Sequence, residues 1–384
     1  MILYFAFWLI NILCIIRRKN NNVISFLSYV YFGLMFVSNQ AKDGDAQLYK
    51  LYFENQWFSG GMFEPGYTFV EKCLHMIGIH TYTGLLISLF VIATFFLWIG
   101  LRKLDASYHY LFVIAMPFII PTYATAIRFF VASAIMMAAI RCLAENKRLF
   151  FVALVVCAGS FHLLSMSYLA FLLCTTKRMT RISGNRKFIL WFVGIFSLLS
   201  FAISVVSKSN PLVMAIVRVA ALLFNIGENK LDAYATTNTN LGGLIFLFIY
   251  LSGLAIAMIM RKKVYAENSY RFDASDLLSE NGGMLLTYCN INYNINLLLS
   301  VFLPFVAMNL IFYRLLIIGH LTNALVLGLY LNQHKLQGTL KVYSVAVDFR
   351  EALLIVACAC WFVPEVIGIN SITIKGMIEA SGIF

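Results

Sequence analysis

Uninterrupted apolar segments about as long as a membrane is thick constrain this chain more than any other feature. The clearest one runs from Tyr82 to Leu101 without a charged residue. An α-helix needs about 20 such residues to cross the hydrocarbon core of a bilayer. The whole chain of 384 residues is 61% hydrophobic and only 12% charged, whereas soluble domains carry about 25% charged residues. These features exclude a water-soluble globular protein.

Twelve apolar segments could span the bilayer or dip into it. We therefore predict a single integral membrane domain over residues 1–384, an all-α polytopic protein with roughly 10–12 transmembrane helices, some of them short or broken. A β-barrel is excluded because the apolar runs are continuous and do not alternate. Residues 148–176 could also form one long helix. The segments are 2–16, 23–38, 82–101, 108–121, 124–143, 148–162, 163–176, 188–206, 241–260, 285–303, 313–331 and 346–362.

Basic residues predict how the helices are oriented, because cytoplasmic loops of membrane proteins are rich in Lys and Arg. If the Arg17-Arg18-Lys19 cluster is cytoplasmic, 20 of the 29 basic residues fall on that side. This orientation makes 39–80 and 207–240 outer loops and 264–283 a cytoplasmic linker. Within the first outer loop, the pattern from Tyr67 to Ile79 predicts an amphipathic helix resting on the outer leaflet.

Three ionisable residues lie near the outer ends of predicted helices. They are Arg128, Arg314 and His162. A single Arg at such a place is often explained by its side chain reaching the interface, and a single His by packing. Because charged residues at membrane depth are costly, three of them on one side of the membrane favour a functional site.

The first outer loop adds acidic and aromatic residues to that side. Lys42-Asp43-Gly44-Asp45 comes first, and Phe63-Glu64-Pro65-Gly66-Tyr67 follows. Either segment could be only a polar turn, since Gly, Asp and Pro favour turns. As a functional site, the loop would supply carboxylates close to the basic residues.

The chain lacks the usual signatures of cofactor-dependent enzymes. It has no Walker loop, no His-Glu-x-x-His, no Gly-x-Ser-x-Gly and no dinucleotide fingerprint. Its eight cysteines lie mostly in apolar segments, which favours packing over disulfides or metal ligands. We therefore expect no metal and no nucleotide cofactor. Arg binds phosphate through a planar pair of donors, so outward Arg residues favour an anionic lipid such as a lipid diphosphate. Fixed guanidinium groups could stabilise its departure, and a carboxylate or His could accept a proton.

The order of these motifs resembles the EpsG family of exopolysaccharide polymerases, a branch of the Wzy-type O-antigen and capsule polymerases. The family often has Arg where Lys42 stands and Gln where Phe129 stands. The matching pieces, over about residues 40–320, are Lys42-Asp43-Gly44-Asp45-x-x-x-Tyr49, Phe63-Glu64-Pro65-Gly66-Tyr67, Ile127-Arg128 with Ala132, Phe161-His162 and Arg314.

The resemblance implies a glycosyltransferase of the bacterial plasma membrane that joins oligosaccharide repeat units carried on undecaprenyl diphosphate, at the outer face. A chain-length regulator and a flippase of the same pathway would be its partners. Arg128 and Arg314, with Lys42, would bind the diphosphate. The expected roles of the other residues are a general base from His162, Asp43 or Asp45, and an acceptor pocket shaped by Glu64 and Tyr67.

Two other functions remain compatible with the sequence. A flippase of the same glycolipid would also bind a lipid diphosphate, although transporters usually show paired halves with matching broken helices. An O-antigen ligase-like transferase would use the same donor, and its site would need the same residue types.

Overall fold

The computed structural model describes residues 2–16, 21–38, 45–56, 63–102, 104, 108–109, 112–113, 126–205, 240–269, 283–308, 310–333, 339–342 and 345–348. The chain forms two compact units. The first comprises Met1–Ser167 with Leu327–Phe384, and the second comprises Tyr168–Val326. The single integral domain over residues 1–384 stays a prediction.

Seven α-helices are described in the N-terminal part of the first unit. They are α1 (Ile2–Ile16), α2 (Asn22–Ser38), α3 (Asp45–Glu54), α4 (Pro65–Met76), α5 (Tyr82–Leu101), α6 (Ile127–Ala144) and α7 (Arg148–Phe161). The helices α3 and α4 lie inside the predicted first outer loop. The second of them confirms the predicted amphipathic helix, with bounds shifted by a few residues.

The helix α6 is the centre of the first unit. It packs against α5 and α7, and its side chains are buried around most of its circumference. Small residues permit this close approach, since membrane helices associate through packing rather than through exclusion of water. At Gly100 of α5, a Cβ atom would lie 3.0 Å from the backbone of Met137 and Ala138.

Four helices in the described part of the chain are long and apolar enough to cross a membrane. They are Tyr82–Leu101, Ile127–Ala144, Arg186–Ser204 and Met284–Ala307. Five shorter apolar helices accompany them. The helices confirm the predicted class, an all-α polytopic membrane fold. The figure of roughly 10–12 spans stays a prediction, because several predicted segments lie partly outside the described residues.

A 3-10 helix over Leu163–Thr175 follows α7. The break comes at His162, whose backbone is extended with φ −154° and ψ 108°, so residues 148–176 are not one long helix. With a rise of about 2 Å per residue, the 13-residue 3-10 helix is about 26 Å long, longer than the α-helix of the same residues. Its buried residues recur at every third position, as three residues per turn require. These are Ser165, Tyr168, Phe171 and Cys174.

The second unit is built around a helix rich in asparagine. Its α-helices are α8 (Lys177–Ile182), α9 (Arg186–Val205), α10 (Asn240–Ser269), α11 (Met284–Leu299) and α12 (Leu303–Met308), with 3-10 turns at Ser300–Phe302 and Leu310–Tyr313. The helix α13 (Arg314–Gln333) begins in this unit. Buried amides of α11 and α13 bond directly, with Asn292 Nδ2 2.8 Å and Asn296 Nδ2 3.0 Å from Asn323 Oδ1.

Two elements differ in extent from the predicted apolar segments. The helix α10 continues through Ser269, into the predicted cytoplasmic linker, because Arg, Lys and Glu after residue 260 favour helix once the chain leaves the bilayer. The segment predicted as a span over 346–362 begins with a strand. The strands β1 (Thr339–Val342) and β2 (Val345–Asp348) form an antiparallel hairpin with Leu340 opposite Val347, and the alternation of Val with other residues favours it.

Candidate functional site

Arg128 lies in the first turn of α6, where its side chain is mostly enclosed. Its Nε atom donates to the Tyr49 hydroxyl at 2.9 Å. Its Nη1 atom donates to the Glu64 carboxylate, with which it forms an ion pair. These two bonds join the start of α6 to α3 and to the residue before α4. Arg128 is therefore fixed by residues of the loop from which the sequence predicts a site.

Three aromatic rings surround the guanidinium group of Arg128. Its central carbon lies 4.8 Å from the ring centre of Phe63, 5.3 Å from that of Tyr49 and 6.0 Å from that of Tyr67. The rings also contact one another, with centroids 5.0–5.6 Å apart. Such rings stabilise a cation through their negative faces. They also exclude water, which strengthens the electrostatic interactions of the group.

Glu64 connects this cluster to the 3-10 helix. It is the N-cap residue of α4, and its Oε1 atom accepts a hydrogen bond from the Leu163 backbone amide at 3.2 Å. The Leu163 amide is at the N-terminus of that helix, where backbone N–H groups lack helical partners and attract negative charge. One carboxylate thus holds together a guanidinium group and a helix N-terminus.

Gly66 allows α4 to lie close enough to α7 for these bonds to form. A Cβ atom there would lie 2.8 Å from the Ser160 carbonyl oxygen and would also collide with the Ser160 hydroxyl. From the sequence, Glu64-Pro65-Gly66 could be either a turn or part of the site. In the structure Pro65 is the first residue of α4, a position that suits proline, and Gly66 serves close packing.

His162 lies next to the cluster. It is the C-cap residue of α7 and immediately precedes Leu163. Its ring is buried and meets the Phe129 ring edge-on, with centroids 5.1 Å apart. Phe129 follows Arg128 in the chain, so the structure brings His162, Arg128, Glu64 and Tyr67 into one neighbourhood.

One comparison with known proteins identifies a family for this chain. The sequence profile of the EpsG family matches residues 40–347, which includes every residue of the cluster. The chain belongs to the EpsG family. Members of this family are polymerases of the exopolysaccharide and Wzy type. Searches of curated proteins and of solved structures found no match to the chain.

The other residues predicted for the EpsG-family site are placed as follows. Lys42 and Asp43 lie outside the described residues, and Asp45 is the first residue of α3. Arg314 belongs to the second unit, as the first residue of α13. There the Tyr168 hydroxyl donates to the carbonyl oxygen of Leu315 at 3.2 Å and lies 3.5 Å from that of Arg314. Tyr168 thereby fixes the first turn of α13.

Sequence reasoning missed Glu71, a carboxylate of this EpsG-family chain with only 1% of its surface exposed. It shares the buried face of α4 with Tyr67 and Leu74, while Phe69 on the same helix is exposed. Burial first, and then the charge of Glu71, raise the pKa of Tyr67 well above its ordinary value. The burial of Glu71 on an otherwise apolar face has no signal in the sequence.

The described residues offer no cluster of three or more His, Cys, Asp or Glu side chains suited to hold a metal ion. The hydrogen-bond donors at this site are the Arg128 guanidinium group, the Leu163 backbone amide and the hydroxyls of Tyr49 and Tyr67. Such donors bind anions.

Proposed function

We propose that this chain joins oligosaccharide repeat units carried on undecaprenyl diphosphate, at the outer face of the bacterial plasma membrane. In this reaction a hydroxyl oxygen of the acceptor sugar bonds to the anomeric carbon of the growing chain. The bond from that carbon to the diphosphate oxygen breaks, and its electron pair stays on undecaprenyl diphosphate. The hydroxyl proton passes to a base. Membership of the EpsG family supports polymerisation in general, and the proposal adds the carrier and the side of the membrane.

The arrangement around Arg128 is the observation that carries the proposal. A guanidinium group has five N–H donors, and the bonds to Tyr49 and Glu64 use two of them. The remaining donors can bind phosphate oxygens, and the aromatic rings keep the group in place and partly dry. A charge that is already fixed stabilises a developing anion without reorganisation. Arg128 is therefore our proposed ligand of the leaving diphosphate.

We assign Arg314 and Lys42 to substrate binding on the basis of charge and of the family resemblance. Arg314 has the planar donor pair that suits a diphosphate, whereas Lys42 would act as a point charge. Tyr168 would position Arg314 through the first turn of α13.

The proposed base is His162, with Asp43 or Asp45 as the alternative. His162 immediately precedes the residue whose amide binds Glu64, so a substrate bound at Arg128 would lie near it. Imidazole accepts protons efficiently near neutral pH. Glu64 and Tyr67 would shape the acceptor side of the pocket.

Deletion of the gene, followed by sizing of the glycans on the carrier lipid, tests the proposal. A polymerase deletion should leave single repeat units on the lipid. A flippase deletion would also leave single units, but on the cytoplasmic side, where a glycan-binding probe added to intact cells cannot reach them. Loss of a ligase would leave full-length polymer on the carrier. Either of these two results would reject the proposal.

Arg128→Ala should abolish polymer while protein levels stay near those of the wild type. The matched control is Arg148→Ala, since Arg148 is exposed at the start of α7. Polymer of normal length in the Arg128 variant would remove its proposed role, and loss in both variants would indicate a general defect.

The side of the membrane can be tested by labelling Asp45→Cys on intact cells with a thiol reagent that cannot cross the membrane. Cys73 lies in the same predicted outer loop and is partly exposed, so it is replaced by Ala in the background. Lys147→Cys, predicted to be cytoplasmic, is the control. Labelling of position 147 in place of position 45 would invert the proposed orientation.

A further inference from the structure

The second unit carries a group of basic residues. Residues 177–205 and 240–266 contain eight basic residues and no acidic one. We call these eight residues the basic end, since they lie in α8, at the start of α9 and in the late turns of α10. They are Lys177, Arg178, Arg181, Arg186, Lys187, Arg261, Lys262 and Lys263.

Arg261 connects the basic residues of α10 to those of α8 and α9. Its Nη1 atom donates to the Ser183 carbonyl oxygen at 3.0 Å, in the turn between α8 and α9. Its Nε atom donates to Asn290 Oδ1 at 2.9 Å. Its guanidinium group lies 4.6 Å from the ring centre of Tyr293 and 5.4 Å from that of Tyr265. The start of α9 and the late turns of α10 are therefore held at the same level.

An exposed apolar surface begins directly next to the basic end. On α9, Leu190 is 71% exposed and Trp191 is 73% exposed, only a few residues after Lys187. On α10, Met258 and Ile259 are exposed just before Arg261. Exposed apolar helix surface in a membrane protein faces lipid tails, and Trp concentrates at the boundary with the headgroups. The basic end therefore lies at headgroup level.

We propose that the basic end is a binding surface for the headgroups of anionic phospholipids. The seven basic side chains other than Arg261 are exposed, and lipid phosphates lie at the depth where the apolar surface stops. An acidic protein would need to reach into that layer, so the adjoining apolar surface favours a lipid. Each Lys or Arg near an anionic bilayer should strengthen binding about fivefold. The next acidic residues along the chain are Glu267 and Asp273, whose side chains lie outside those described.

Native mass spectrometry of the full chain in detergent tests this proposal. The protein is mixed with equal amounts of phosphatidylglycerol and phosphatidylcholine with identical acyl chains, and the retained lipids are counted. We expect the wild type to retain the anionic lipid at least about tenfold over the zwitterionic one. The variant carrying Lys177→Gln, Arg178→Gln and Lys262→Gln should lose most of this preference. Arg261 is left unchanged because it supports the fold.

A second triple variant controls for total charge. It carries Lys50→Gln, Lys72→Gln and Arg148→Gln, three exposed residues of the first unit, and it should keep the preference of the wild type. Equal retention of both lipids by the wild type would overturn the proposal, as would equal losses in the two variants. Displacement of the anionic lipid by a polyglutamate peptide at low concentration would assign the surface to an acidic protein instead. No polymerase activity enters this readout, so its failure leaves the proposed function untouched.

Discussion

Glu64 and Arg128 form an ion pair although 64 positions separate them in the sequence. Their side chains are 19% and 16% exposed, so the pair is largely shielded from water. Because Glu64 also accepts the Leu163 amide, it stabilises both the orientation of Arg128 and the start of the 3-10 helix. Four predictions follow from this region and from the loop after α6.

Glu64→Gln should lower the free energy of unfolding by about 1–3 kcal/mol, since it leaves a partly buried guanidinium group without its counter-charge. Chemical unfolding in detergent measures this loss. Glu145→Gln is the control, because Glu145 also pairs with an arginine but is 29% exposed. It should cost less than about 1 kcal/mol at neutral pH. Similar losses in the two variants would show that the Glu64–Arg128 pair stabilises the protein no more than the Glu145–Arg141 pair does.

Gly66→Ala should destabilise the protein and reduce polymer formation, because the new Cβ atom must push α4 away from Ser160. A loss of about 1–3 kcal/mol is typical of such overpacking. Gly194→Ala is the matched control, since nothing lies within 4 Å of a Cβ there. Alanine at this mid-helix position should be neutral or stabilising by up to about 1 kcal/mol. If Gly66→Ala behaved like the control, the close contact would not matter.

If the imidazole acts as a base, His162→Ala should lose polymerase activity more steeply than His162→Gln, and beyond what its loss of stability explains. Polymer yield and thermal unfolding are measured on the same preparations. A base is expected to contribute about 10²–10⁴-fold in rate, whereas a packing role would make activity follow stability. Full activity of both variants would mean that His162 only packs against Phe129.

The stability of the α6–α7 loop should depend on acid pH through Glu145. The hydrogen bond from Lys147, first, and then the bond from Arg141, lower the pKa of Glu145, although partial burial opposes them. A carboxyl group whose pKa is lower in the folded state contributes stability above its unfolded pKa. That stability is lost as the pH falls through the folded value. Melting temperatures of the wild type between about pH 5 and pH 3 should therefore fall more steeply than those of Glu145→Gln. If the melting temperatures of the wild type and of Glu145→Gln fell equally with pH, Glu145 would not contribute this pH-dependent stability.

Glu145 also illustrates how a charged residue supports a helix end. It holds Arg141, whose Nη1 atom donates to the carbonyl oxygens of Ile99 and Arg102 at 2.6 and 2.7 Å. These carbonyl groups end α5 and lack helical partners. The sequence shows only that Arg141 is basic, and its cytoplasmic position is a prediction. Its use as a cap depends on the packing of α5 against α6.

The apolar pattern predicted α5 over Tyr82–Leu101 without error, because hydropathy over about 20 residues is a local property. The 3-10 helix after His162 was not predicted, because the period-three burial of Ser165, Tyr168 and Phe171 is visible only in the structure. Hydropathy cannot distinguish such a helix from an α-helix of similar composition. The choice depends on which neighbours each face meets.

The sequence alone determined that this chain is a helical membrane protein of a polysaccharide polymerase type, because hydropathy and motif order are written along the chain. Only the tertiary structure decided that Glu64 pairs with Arg128, that Tyr49 and Phe63 enclose the guanidinium group and that Glu71 is buried. These contacts join residues far apart in sequence. Their energies depend on distance, burial and the local dielectric, and no single segment of the chain encodes these quantities.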